Sequence, residues 1–122
     1  MENPFARCTL RSARIVLVEE AMLTRSTVTP DSAEAIGEGH LVDAGDPRLA
    51  RLEQQLKALV FEPGPDGPVD VRTLVRATCA DGTTQVLAAA RTYEGSPLRL
   101  AMNGRSATTT TPLRAAIEAL LR

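Results

Sequence analysis

The sequence predicts an α+β fold, and three observations carry that reading. Leucines recur at helical spacing between residues 46 and 60, period-two alternation begins at Val69, and Asp81-Gly82 and Asn103-Gly104 are hairpin dipeptides placed between extended segments. The expected architecture is a single domain, 1–122, with a four-stranded antiparallel meander over about 69–110. Two helices, about 46–60 and 111–121, pack on one of its faces, and N-terminal strands extend or flank the sheet.

Taken in chain order, the first element is Ala13 to Glu20. Its run Ile15-Val16-Leu17-Val18 is apolar and rich in β-branched residues, as a buried strand requires. The helix formers of Glu19-Glu20-Ala21-Met22-Leu23 leave a helix over 12–23 as the alternative. A short strand at Ser26 to Thr29, one helical turn at Asp31 to Glu34 and a brief strand at Glu38 to Asp43 follow, the last framed by Gly37, Gly39 and Gly45.

Asp46-Pro47 opens the clearest helix. The aspartate can accept the free amides of the first turn, and proline at the first helical position has no amide to leave unpaired. Leu49, Leu52, Leu56 and Leu59 form one stripe suited to packing on a sheet. Three prolines and two glycines between Glu62 and Pro68 end the helix and form a loop.

From Val69 the side chains alternate, with Val69, Val71, Thr73, Val75, Ala77 and Cys79 on one face. If Asp81-Gly82 is a two-residue type I′ turn, Val75 faces Ala88, Thr73 faces Ala90 and Arg72 faces Arg91. Leu98, Leu100 and Met102 share a face of the next strand. Asn103-Gly104 returns the chain into an edge strand, Arg105 to Thr110, and Thr111-Pro112 repeats the cap-and-proline signature before the closing helix.

Composition narrows function by exclusion. The chain carries 14 cations and 15 anions, a net charge of -1, and only 2% aromatic residues. It has neither the cationic surplus nor the stacking platforms of a nucleic-acid binder. No apolar run can span a membrane, and residues 1–7 contain no apolar leader, so a cytoplasmic address is the default. Lys57 is the only lysine among the cations, and this arginine bias with abundant alanine suits a GC-rich bacterial source. Cys8 and Cys79, without a leader, read as reduced core residues. With two cysteines and one histidine no structural zinc site can be assembled, and no cofactor signature appears.

Candidate chemistry is sparse. Cys79 with His40 would be the only nucleophile and base pair, and Glu38, His40, Asp43 and Asp46 the only ligand-type cluster. The plain readings are a core thiol, a loop histidine and solvated loop polarity. Arg72, Arg76 and Arg91 fall on one face of the first hairpin, and facing guanidinium groups need something anionic between them. That need is met either by carboxylates of this chain, such as Asp70, or by an acidic partner. Leu74, Leu87 and Tyr93 are expected opposite the valines, which would make the second sheet face a docking surface. The expected function is therefore a non-catalytic protein-binding module such as an inhibitor, an immunity-type antidote or an adaptor. Its partner is another protein, with a homodimer as a further possibility, and neither nucleic acid nor membrane is a partner. The alternative is a small-ligand or enzymatic pocket between sheet and helices, lined by Leu98, Leu100 and Met102.

Overall fold

The computed structural model describes residues 1–122 and has the α+β class. Its strands are β1 (Leu10–Leu17), β2 (Glu38–Val42), β3 (Glu62–Pro63), β4 (Thr73–Cys79), β5 (Thr84–Ala89), β6 (Leu98–Met102) and β7 (Arg105–Thr109). Its helices are α1 (Pro30–Ile36), α2 (Arg48–Lys57) and α3 (Leu113–Leu121). The strands form one antiparallel sheet of seven in the order β2-β1-β4-β5-β6-β7-β3, so the four-stranded meander is the middle of a larger sheet. Ile15, Val16 and Leu17 of the apolar run belong to β1, which pairs on both sides, and Val18 follows its end; Ile15, Val16 and Val18 are buried, as the strand reading required. The Ser26 to Thr29 strand does not form. Thr29 instead caps α1, its hydroxyl accepting the Ser32 amide at 3.2 Å. No helix is long and apolar enough to cross a membrane.

Both long helices lie on one face. Leu52 and Leu56 of α2 join Leu113, Ile117 and Leu120 of α3 in a core with Ile15, Val75, Leu87, Leu100 and Met102. The Asp46 carboxylate accepts the Arg48 amide at 2.9 Å, as the capping reading expected, and the Arg48 guanidinium bonds the same carboxylate, holding its pKa below the usual aspartate value. α2 stops three residues earlier than expected. Asn3, 53 residues away, donates its side-chain amide to the carbonyls of Leu56 and Leu59 at 2.8 and 3.0 Å and so satisfies the helix end. The Thr111 hydroxyl makes no cap to α3.

Three expectations about the sheet are corrected. First, Asp81-Gly82 is not a two-residue turn. The Asp81 carboxylate accepts from the amide of Thr83 at 3.0 Å and from its hydroxyl at 2.6 Å, and only Gly82 takes a positive φ, +87°. The result is a three-residue loop with a glycine bulge, closed by the Gly82 amide on the Cys79 carbonyl at 2.9 Å and the Cys79 amide on the Thr83 carbonyl at 2.8 Å. The register slips by one residue, so Val75 faces Leu87 and Leu74 faces Ala88. At Asn103-Gly104 both residues have positive φ, 50° and 82°, and the expected two-residue turn forms. Second, β4 starts at Thr73. Val69 and Val71 leave the face of Val75 and join Val16, Val18, Val28, Ala33, Leu74 and Ala88 in a smaller core on the opposite face, under α1. Third, β7 is not the edge, because β3 pairs with it.

The cysteines also depart from expectation. Cys8 and Cys79 form a disulfide with a Cα separation of 5.1 Å. Seventy-one residues separate them in sequence, but β1 and β4 are neighbours with Leu10 opposite Cys79, which brings Cys8 alongside. Both lie buried in the main core.

Candidate functional site

The arginines predicted as a patch are drawn inward. Arg72, just before β4, is only 1% exposed. Its guanidinium donates to the Asp70 carboxylate at 3.1 Å, to the Val71 carbonyl at 3.1 Å and to the Met22 carbonyl at 3.0 Å. Arg91 donates to the same Met22 carbonyl at 3.1 Å. The two guanidinium groups thus converge, though through a backbone oxygen and not as strand partners. Arg114 of α3 adds bonds to the carbonyls of Val18 and Arg72, at 2.9 and 2.7 Å, so three arginines fasten the crossing segment 18–22 to the end of the sheet.

Arg76 lies apart from that pair. It bonds Glu34 of α1 at 3.1 Å and approaches Asp31 at 3.7 Å, while Arg14 of β1 bonds the other Glu34 oxygen at 2.9 Å. Glu34 therefore joins α1 to two strands, and the Arg14 hydrogen bond, followed by that of Arg76, holds its carboxyl below the usual glutamate value. Folding lowers this pKa, so the stabilisation is complete above the ordinary glutamate pKa and is lost as pH falls through the folded value. Glu34→Gln is expected to be less stable than the native chain at neutral pH and to lose less further stability on acidification, read from urea midpoints across the carboxylate range. Parallel pH curves for the two chains would contradict it.

Leu74 and Leu87 are fully buried, on opposite faces of the sheet, and Tyr93 is 62% exposed in the loop between β5 and β6. The six predicted site residues therefore make no single surface. Cys79 is bonded to Cys8 and has no thiol to offer His40. Glu38 and His40 do share a side of β2, 3.1 Å apart, but no group of three or more histidine, cysteine or acidic side chains gathers at metal-binding distance. Leu98, Leu100 and Met102 are buried in the main core.

The second sheet face is covered only in part. α1 and the segments 18–28 and 69–71 roof the β1 and β4 end. Beyond them is a half-open apolar hollow of about 230 Å³. Its floor is the cross-strand pair Ala88 and Ala101 with Val86 beside it, and Pro30, Val69 and Val71 form the wall. No charged side chain lines it, and Thr27 and Thr29 supply its only side-chain hydroxyls. A larger depression of about 500 Å³, walled by Pro63, Asp66 and Arg105, is open and polar. The hollow holds no acid, base or nucleophile, and its chemistry is desolvation of something apolar. The sequence reading placed a pocket between sheet and helices, lined by Leu98, Leu100 and Met102, and the hollow is on the opposite face. The loop at Gly82 sets the register of β4 with β5 and so puts Ala88 beside Leu74 on this face, while the pairing of β5 with β6 sets Ala88 opposite Ala101.

Comparison with family models, curated proteins and solved structures finds no match to this chain.

Proposed function

We propose that this chain is a non-catalytic protein-binding module that receives an apolar side chain of its partner in the hollow over Ala88 and Ala101. The shape and lining of that hollow carry the reading. Small-molecule sites generally run from about 300 to 1,000 Å³ and contain a few converging polar groups. At about 230 Å³ and without a charged group, this one suits a single large side chain, as the anchor pockets of protein interfaces do. An inhibitor, an immunity-type antidote or an adaptor in a bacterial cell would each use such a surface.

Ala101→Leu tests this by filling the hollow from its floor; because Ala101 is half-buried at the margin of the smaller core, the urea midpoint of the variant is measured beside its binding. Affinity capture from the native cell is expected to recover one protein stoichiometrically with the native chain and to lose it with the variant. Equal recovery with both chains rejects the hollow as the docking point. A small apolar metabolite carried by the native chain and displaced in the variant would favour the ligand-binding alternative.

A buried disulfide favours an oxidising compartment over the cytoplasmic address expected from the sequence. Thiol trapping in the native cell distinguishes the two. Free Cys8 and Cys79 support the cytoplasm, and a bridged chain supports an oxidising location.

A further inference from the structure

The two edges of the sheet are treated differently. β3 is two residues long and contains Pro63, which has no amide to offer, so that edge is blunted. β2 is five residues long, pairs only with β1, and contains neither proline nor lysine. Its outer edge presents unpaired backbone donors and acceptors. Two of the few large apolar side chains left exposed are close by, Leu41 at 58% and Ile36, at the end of α1, at 46%.

We propose that two copies of this chain associate through antiparallel pairing of β2 with β2, continuing the sheet across a twofold axis centred on His40. An axis normal to the sheet and passing through one residue sets every residue opposite a partner whose side chain points to the same face, which a continuous sheet requires. Centred on His40, it pairs the whole strand: Glu38 with the partner's Val42, Gly39 with the partner's Leu41, and His40 with the partner's His40. No carboxylate meets another. Gly39 has no side chain, and the Arg14 guanidinium occupies the place above it, 2.5 Å from where a Cβ would stand. The partner's Leu41 would lie beside Gly39 and pack its apolar side chain against that guanidinium, with no side chain of Gly39 in the way. Five paired residues and the apolar contacts of Leu41 and Ile36 make a small interface, so the dimer is weak and concentration-dependent. The hollow over Ala88 and Ala101 lies across the sheet from β2, so the two proposals stand or fall separately.

Sedimentation of the native, bridged chain over a range of concentrations tests this. The mass is expected to rise from the 13.0 kDa of one chain towards twice that value. Leu41→Lys places a charged gatekeeper at an already exposed position and is expected to weaken association about tenfold or more without unfolding the chain. The register is read by cross-linking. His40→Cys would sit opposite its own copy at a Cβ separation of about 5 Å and form an intermolecular disulfide under mild oxidation. Glu38→Cys would lie about 13 Å from its copy, four residues along the strand, and would not. A mass that stays at one chain at every concentration overturns the proposal. So does a dimer that Leu41→Lys leaves intact, or cross-linking as ready at position 38 as at position 40. A foreign strand captured on β2 while the chain alone stays monomeric also overturns it.

Discussion

Replacing Cys8 and Cys79 with alanine is expected to lower the unfolding free energy by about 4 kcal/mol, because the bridge closes a loop of 71 residues. Most of that arises in the unfolded chain. Without the link, the N-terminal segment and the end of β4 are free to separate, and the folded state must supply the entropy of bringing them together. Two smaller core side chains add packing loss in the same direction, since both sulfurs lie in the main core. For a domain of this size the drop corresponds to a fall in melting temperature of about 15 °C, measurable by calorimetry on bridged and alanine chains. A difference of only a few degrees would mean that the strand pairing of β1 with β4 holds that end without help.

Leu87→Ala is expected to cost about 3 kcal/mol, and Val86→Ala less than about 1 kcal/mol, a contrast that reports the register of the first hairpin. Leu87 lies wholly inside the main core opposite Val75, whereas Val86 is half-buried on the other face, beside the hollow. A register one residue different would exchange the two environments and reverse the order of the costs. Chemical denaturation of the two variants reads this directly. A larger loss for Val86→Ala than for Leu87→Ala would show that the hairpin does not carry the three-residue loop, and the hollow over Ala88 and Ala101 would go with it.

The dependence of a proposed docking point on one loop shows where sequence reading reached its limit. Asp81-Gly82 and Asn103-Gly104 look equivalent as dipeptides, and both do reverse the chain. They differ in what the first side chain bonds. The Asp81 carboxylate turns onto Thr83, two residues ahead, and Asp81 stays out of the left-handed region. Asn103 enters it, and its side chain bonds the Val86 amide on the neighbouring strand at 2.7 Å. That partner is 17 residues away and invisible to a local pattern.

The arginine cluster follows the same logic. Period-two alternation grouped Arg72, Arg76 and Arg91, and internal carboxylates were the plain explanation. Asp70 does serve Arg72, and Glu34 with Asp31 serve Arg76. The shared acceptor of Arg72 and Arg91 is the carbonyl of Met22, a backbone atom with no sequence signature.

By itself the sequence determined the parts: the leucine-striped helix opened by Asp46-Pro47, the alternating strands of the meander, the closing helix and the existence of both reversals. Each of these follows from side-chain periodicity and capping chemistry within a few residues of chain, where spacing alone carries the information. Tertiary structure decided which face each strand buries, that Cys8 meets Cys79, that Asn3 closes α2, and that one face of the sheet is left half covered with a hollow in it. Those outcomes depend on contacts between residues tens of positions apart, and a shift of one residue in a single loop is enough to send every side chain beyond it to the other side of the sheet.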